Sequence, residues 1–321
     1  MRRIEVAAFG GPEVLALTEA PEPTPGPGEV LVDVAAADVL WIETAIRRGA
    51  AADHFPVVPP YRPGVGVAGI VGAVGAGVDP DWIGRRVVTR TDERGGYLER
   101  AVAPIDGVVV VPDGVTLADA AALLHDGVTA FGLLDLVPVR TGDQVLVTAA
   151  AGGLGALLVQ EVRAAGGFVV AAARGAAKRE ALYRLGADLA VDYAEPRWIE
   201  SVRAATGGLH VVLDGAGGEY GRAVFPLVRP GGWFSAHGAP AGGFAVPDGD
   251  AARDRGITVL GIADVQFSPE RRRRYLRTAL DAAAAGRIRP LIGQTYPLHR
   301  AAAAHEAIED RSAIGKTLLT V

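Results

Sequence analysis

The 321-residue chain has no cysteine and only two lysines, Lys178 and Lys316. The first absence removes disulfides, thiolate nucleophiles and any metal site built on sulfur. Charge of one sign is also missing: Lys+Arg 32 against Asp+Glu 37 leaves a net −5. The sequence therefore lacks the basic field that draws a protein to nucleic acid or to an anionic membrane. No run of roughly 18–20 consecutive apolar residues is there to cross a bilayer. Behind Arg2 and Arg3, Glu5, Gly10, Gly11 and Pro12 interrupt the apolar stretch that a signal peptide needs. The expectation is a cytoplasmic protein that acts on small molecules, with no nucleic-acid or membrane partner. What is present is apolar residues at 50% of positions, enough for one large or two medium cores.

The chain changes texture near residue 117. Before it, segments 3–8, 30–36, 65–74, 86–89 and 108–111 carry β-branched residues between glycine and proline punctuation, and 41–48 reads as a short helix. After it, six short apolar runs (145–148, 168–172, 189–191, 210–213, 233–236 and 258–262) alternate with alanine-rich helical stretches. Apolar strands alternating with helices predict an α/β fold with a parallel sheet covered on both faces, and six strands fit a doubly wound dinucleotide-binding domain. The closing segment 316–321 is expected to return to the sheet of the first domain.

The strongest local signal is QVLVTAAAGGLGALLVQEV, residues 144–162. A strand ends at Thr148, a turn of small residues follows, and a helix opens near Gly155. Glycines let the backbone approach a pyrophosphate, and a helix N-terminus offers N–H groups and a positive dipole end. In the G-x-G-x-x-G register Ala150 takes the first place, with Gly152 and Gly155 the second and third. A tight strand-to-helix turn without a ligand is the alternative. The second strand ends in Arg174, where an NAD site normally carries an acid. With Lys178 in the next helix, Arg174 forms a clamp suited to the 2′-phosphate of NADPH; a solvated helix start is the competing reading. Tyr193 either adds a hydroxyl to that phosphate or caps the sheet edge.

Several motifs extend these features along the whole chain: GPEVL (11–15), the segment 41–49, PGVGVAGIVGAVGAGV (63–78), AAALLHDGVTA (120–130), AAAGGLG (149–155), LGAD (185–188), VVLDGAGG (211–218) and GKTLL from Gly315. In their order and spacing the sequence resembles the zinc-independent quinone oxidoreductase branch of the medium-chain dehydrogenase/reductase superfamily. The resemblance implies a β-rich, GroES-like catalytic domain from both chain ends (1–117 and 263–321). It implies an inserted Rossmann domain (118–262), a cleft holding NADPH, and a homodimer paired through 258–262. Gly152, Gly153, Leu154 and Gly155 match the pyrophosphate turn, and Lys178 and Tyr193 the 2′-phosphate positions. Thr129, His237 and Gly238 match positions near the nicotinamide. Lys316 matches the lysine of the closing strand, with a structural role or one at the rim of the cofactor cleft.

In zinc-dependent relatives the resemblance places metal ligands at Leu40, Val65 and His125, and an acid at Gly66. One imidazole cannot supply the three protein ligands of a catalytic zinc, so no metal is expected. An Asn at position 40 and a Tyr just after Gly49, found in many metal-free relatives, are also missing. Polar candidates for the chemistry are His125, Tyr61 and Glu43, with Trp41, Arg62 and Asp126 toward the substrate. His125 reads either as a proton donor or as a packed helix histidine, Tyr61 as a donor or as rim packing. Three functions compete: hydride transfer from NADPH to a conjugated carbonyl (a quinone or an enone), a biosynthetic enoyl or tailoring reductase, and a non-catalytic NADPH-binding protein.

Overall fold

The computed structural model describes residues 1–52, 55–91 and 95–321. They divide into two compact units, residues 1–128 with 272–321, and residues 129–271.

The first unit opens with an antiparallel pair, β1 (Arg2–Val6) and β2 (Leu15–Glu19). Its main sheet begins with β3 (Glu29–Val39), followed after the helix α1 (Trp41–Arg47) by β4 (Gly66–Val74), β5 (Arg86–Arg90), β6 (Arg100–Pro104) and β7 (Val109–Val110). Strand β3 is central, paired with β4 and β6. Val30 and Val32 feed one apolar cluster, while Val34, Ala37 and Val39 feed another. Burial on both sides explains why the strand is almost continuously apolar. Asp38, near its end, is fully buried. The helix α2 (Leu117–Leu136) follows.

The second unit is a parallel sheet of β8 (Gln144–Thr148), β9 (Phe168–Ala173), β10 (Leu189–Asp192), β11 (Leu209–Asp214), β12 (Val228–Ala236) and β13 (Thr258–Leu260). Their order is β10-β9-β8-β11-β12-β13, the doubly wound 3-2-1-4-5-6 arrangement with its switch point between β8 and β11. Helices α3 (Gly153–Ala164), α4 (Ala176–Arg184), α5 (Trp198–Thr206), α6 (Gly218–Val224) and α7 (Gly249–Asp254) occupy the connections. Both chain texture and strand count thus foretell the α/β architecture. The chain then re-enters the first unit through α8 (Pro269–Ala284), β14 (Ile292–Pro297), α9 (Ala301–Glu309) and β15 (Lys316–Thr320). Strand β15 lies between β14 and β3. Gly315 is required at its start, since a Cβ there would lie 1.9 Å from the Leu291 carbonyl oxygen.

Two expectations are corrected. The division between units falls at 128/129 and 271/272, not at 117/118 and 262/263. The change of texture at residue 117 marks where α2 begins, and its first turns pack in the first unit, where Gly127 closes on Ala279. The last parallel strand stops at Leu260, two residues early, because Asp264 accepts a hydrogen bond from the Gly261 N–H at 2.8 Å and turns the chain into a short 3-10 helix. Helix α2 is long and apolar enough to span a membrane by length and composition. Its consecutive apolar runs are broken by Asp119, His125 and Asp126, and Ala120 to Leu124 are buried in this fold.

Candidate functional site

Two sets of functional groups stand out, one in each unit. In the second unit they gather at the carboxyl ends of the parallel strands, where doubly wound folds bind ligands. After β8 the chain turns at Ala149, which holds a left-handed φ of 50°, and enters α3 with Gly152 as N-cap. No side chain caps this helix and no acid sits in its first turn. The first N–H groups of a helix have no intrahelical partner, so those of Gly153, Leu154 and Gly155 are suited to an anion. A Cβ on Gly155 would lie 2.6 Å from both the Ala149 carbonyl oxygen and the Ala150 Cα. Only glycine lets helix and turn close to this distance.

Next to this turn, Thr148 donates to Asp214 at 2.5 Å, and Asp214 also accepts from the Ala216 and Gly217 N–H groups. Burial raises the Asp214 carboxyl pKa, against the lowering effect of these bonds. This acid is structural: it ties the β8 and β11 ends together. His237, just past β12, is buried and bonds Ser235 at 3.2 Å. Its pKa is lowered by burial to about 4, so the ring is neutral. A Cβ on Gly238 would meet the Gly215 carbonyl oxygen at 2.0 Å, which makes the glycine pair a backbone-to-backbone contact.

At the end of β9, Arg174 is exposed and donates to the Tyr220 hydroxyl at 3.0 Å. Tyr193 packs on Tyr220 with ring centroids 4.5 Å apart. Arg174 and Tyr193 are therefore brought together through Tyr220, a residue with no motif to mark it. Asp192, the acid ending the neighbouring strand, accepts from the Gly175 and Ala194 N–H groups at 2.7 and 2.9 Å. It shapes the turn on which Arg174 sits. Lys178 is half-buried one turn into α4, and Thr129 lies one turn after His125 on α2.

In the first unit the groups are charged and come from distant parts of the sequence. His125 Nδ1 lies 2.5 Å from Asp38 Oδ2, and its Nε2 lies 2.5 Å from Arg90 Nη1. Lys316 Nζ stands 3.5 Å from Asp38 Oδ2 and 3.4 Å from Asp126 Oδ2. Burial alone would raise the Asp38 carboxyl, but the charges of His125, Lys316 and Arg90 and the His125 hydrogen bond outweigh it and hold the pKa below its ordinary value. Burial would lower Lys316, yet Asp126 and Asp38 hold it above its usual value. Lys316 is only 4% exposed, which replaces the rim position with a buried ionic one. A Cβ on Gly66 would lie 2.6 Å from Asp38 Oδ1 and 3.0 Å from the His125 ring. The missing side chain at position 66 makes room for this pair.

Glu43, in the first turn of α1, accepts from the Leu40 N–H at 3.0 Å and from the Tyr97 hydroxyl, which also contacts His305 at 3.1 Å. Burial, followed by the nearby charge of Asp38, raises the Glu43 pKa to about 7. Burial and Glu43 raise Tyr61 to about 12. Tyr61 is pinned by backbone bonds to Val6, Arg62 beside it is exposed, and Trp41 is half-buried at the start of α1. The structure thus gathers His125, Asp126 and Glu43 around Asp38, leaving Arg62 on the outside. Asp38, Arg90 and Tyr97 escape a reading of the sequence because each is an isolated polar residue in a strand or loop. Their only signal is a charge inside an apolar strand, as at Asp38. Among the described residues no group of three or more His, Asp or Glu is placed to hold a metal ion.

Known proteins resemble the chain along its whole length. Residues 26–113 match the alcohol dehydrogenase GroES-like domain, and residues 185–319 match the zinc-binding dehydrogenase family. Over 99% of its length the chain is 33% identical to the quinone oxidoreductase of Sus scrofa, of which it covers 97%. It is 31% identical to a 2-haloacrylate reductase of a Burkholderia species, across 97% of this chain and 96% of that one. A mycobacterial structure complexed with NADPH superposes with a TM-score of 0.90 at 33% identity, covering all of both chains.

Proposed function

This chain belongs to the quinone oxidoreductase branch of the medium-chain dehydrogenase/reductase superfamily, and on that premise we propose that it is an NADPH-dependent oxidoreductase that reduces a conjugated carbonyl, a quinone or an enone. The observation that carries the reading is the end of β9. An arginine stands where an acid would hold a ribose hydroxyl, and it is set against two stacked tyrosines. A 2′-phosphate carries close to two negative charges and favours a planar, permanently charged fork. The uncapped α3 terminus and the close approach at Gly155 fit a pyrophosphate in the same way. When bound, NADPH supplies a hydride equivalent.

The residues of the chain divide the remaining work. Gly153, Leu154 and Gly155 hold the pyrophosphate through backbone N–H groups, Gly152, whose own N–H donates to the Ala149 carbonyl, lets the main chain approach it, and Arg174, Lys178 and Tyr193 hold the 2′-phosphate. Thr129, His237 and Gly238 border the nicotinamide; a neutral, buried His237 adds no positive charge there. Reduction of the conjugated carbonyl leaves an enolate, or a hydroquinone anion, that requires stabilisation and one proton. His125 lies among the charged groups that can serve it, Glu43 and Tyr61 are the further candidates for the proton, and Trp41, Arg62 and Asp126 are assigned to the acceptor. Among the described residues strand β13 pairs on one side only, with β12, and Val259 is exposed there. An open edge of this kind suits pairing with a second copy.

Oxidation of NADPH and of NADH, followed by the loss of reduced-nicotinamide absorbance over a panel of quinones, enones and enoyl thioesters, tests the reading. Turnover of a quinone or enone with preference for NADPH is expected. Turnover of thioesters alone points to a biosynthetic enoyl reductase. Tight NADPH binding without turnover of any acceptor leaves a cofactor-binding protein. Light scattering of wild type and Val259→Lys tests the dimer: a dimer that dissociates in the variant supports pairing through β13, and a monomeric wild type refutes it.

A further inference from the structure

The amino ends of the parallel strands in the second unit carry a cluster of charged groups separate from the cofactor turn. Along β8, about 13 Å of strand lies between Gln144 at this end and Thr148 at the other. A cavity of about 170 Å³ opens here, and Arg140, Asp143, His210, Arg229 and Trp233 are among its lining residues. All of them belong to the second unit. Pockets for drug-sized ligands begin at about 300 Å³, so this volume suits a small ion.

The chain around the cavity is shaped to hold Arg229. Strands β11 and β12 pair Leu209 with Val228 and next Val211 with Trp233, so residues 229–232 leave the ladder as a bulge opposite His210. Gly232 lets the bulge close on β11, since a Cβ there would lie 2.8 Å from the His210 carbonyl oxygen. Gly208, with a φ of 141°, makes room for the arginine: its Cβ would lie 3.0 Å from Arg229 Cγ and 3.1 Å from Nε. Arg229 Nη2 donates at 2.9 Å to the carbonyl of Thr206, the last residue of α5. A cation at a helix C-terminus is favourable. The guanidinium is thereby fixed in one orientation, with Nη1 3.0 Å from His210 Nε2.

Donors outnumber acceptors at this place. The Gln144 N–H donates to His210 Nδ1 at 2.8 Å, while Arg229 presents N–H groups to Nε2. A neutral imidazole has a single lone pair and a protonated one has none. Whichever form the ring takes, at least one of these two donors finds no acceptor in it. Arg140 adds an exposed guanidinium that makes no hydrogen bond or ion pair among the described residues. Asp143 is the acid of the lining; its Oδ2 already accepts from the Arg140 N–H at 2.7 Å, and its Oδ1 stands 3.8 Å from His210 Nδ1. Two guanidinium charges against one carboxylate leave the cavity positive. We propose that it is a binding site for a small oxyanion of the phosphate class, held between Arg140 and Arg229 at the end of the sheet opposite the cofactor turn. Such an ion offers the acceptors that the surplus N–H groups lack. Its tetrahedral oxygens meet two guanidiniums that come from different elements, whereas a carboxylate has one two-oxygen edge that a single fork fills. The site is additional to NADPH and to whichever acceptor the enzyme reduces.

The experiment titrates inorganic phosphate into the full-length chain saturated with NADPH, at low ionic strength, and follows the heat of binding. One site per chain is expected, with a Kd of about 1 mM or tighter. Arg140→Gln should weaken it about tenfold or more, the loss of a charged hydrogen-bond donor, and Arg140→Lys should weaken it less. Arg229→Gln should abolish it. Arg229 also holds the end of α5, so its variant can lose stability; Arg140→Gln alters an exposed side chain without a partner and decides the matter by itself. Phosphate also suits the cofactor turn, and Arg174→Ala serves as the control: its phosphate binding should equal that of the wild type. Methyl phosphate in place of phosphate distinguishes the sources, since its binding supports the phosphate group of an ester as the ligand and its exclusion supports the free ion. No saturable binding, binding by Arg140→Gln equal to the wild type, a loss confined to Arg174→Ala, or acetate bound as tightly as phosphate would each overturn the proposal.

Discussion

The two units build their sites from different materials. In the second, the groups are mainly backbone: uncapped N–H groups at α3, a left-handed Ala149, and glycines at 155 and 238 where any side chain would strike a carbonyl. In the first, they are side-chain charges, with Arg90, His125, Asp38, Lys316 and Asp126 in contact and Glu43 beside them. A backbone site recognises a shape that does not vary between substrates, the phosphates of a cofactor. A charged site in a low-dielectric interior can be retuned by moving one group, which suits a part that must match a particular acceptor. The two sites should therefore fail in different ways when altered.

The sharpest break is expected at Lys316. Replacing it by Met leaves Asp38 and Asp126 without their shared cation, and unpairing a buried charge costs about 3–5 kcal/mol. Denaturant unfolding of Lys316→Met should show a loss of that order, and Lys316→Arg should lose less. A loss under about 1 kcal/mol would show that the contact is an ordinary surface pair.

Glu43 gives the next largest effect, and its sign differs from that of the buried histidines. Its folded pKa of about 7 lies above its ordinary value, so the folded chain holds a proton that the unfolded chain has released. Stability on this account falls as pH rises from about 4.5 to 7. His237 and His305, lowered to about 4 and about 3 by burial, act in the opposite sense: the stability they confer is present above about 6.5 and is lost as pH falls toward those values. Glu43→Gln keeps an oxygen to accept from Tyr97 and Leu40. It should remove the falling limb and be more stable than wild type above neutral pH, by an amount on the order of 2–3 kcal/mol. Thermal unfolding at a series of pH values reads this directly, and parallel curves for the two proteins would contradict it.

At Gly155 the expected effect is smaller in stability and larger in binding. The Cβ of Gly155→Ala meets backbone atoms at 2.6 Å, which no rotamer change can relieve, and overpacking of this kind costs about 1–3 kcal/mol. The turn must open to accept it, so NADPH affinity by fluorescence titration should fall at least tenfold. An equal loss of stability with unchanged affinity would move the glycine from cofactor binding to simple packing.

This contrast also explains what the sequence discloses. The turn at 149–155 is legible because strand, turn and helix are consecutive, so the spacing of Gly152 and Gly155 records the geometry directly. The alternation of apolar runs and helices discloses the parallel sheet for the same reason. The charged chain is assembled from positions 38, 90, 125 and 316, and no local pattern links residues brought together by a sheet. His125 and Lys316 are visible as oddities, one imidazole in an alanine-rich helix and one of two lysines, but their partners are not. Strands β2, β6 and β14 are missed where pairing, not apolar periodicity, makes the strand: β14 alternates half-buried and exposed residues beside β15. Tyr220 is missed too, because a tyrosine in a helix carries no motif.

The smallest effect tests a charged element of the backbone-built site. Arg174 is exposed and already bonded to Tyr220, so solvent screens its charge, and Lys178 remains nearby on the next helix to share the phosphate. Arg174→Ala should therefore weaken NADPH by only about tenfold, or roughly 1.4 kcal/mol, and leave NADH unchanged because NADH has no 2′-phosphate to lose. Calorimetric titration of both cofactors gives the ratio without any need for turnover. Equal weakening of the two would mean that Arg174 supports the fold of the β9 end through Tyr220 and Tyr193. A change confined to NADPH would mean that a single side chain sets cofactor choice on a surface otherwise made of main chain.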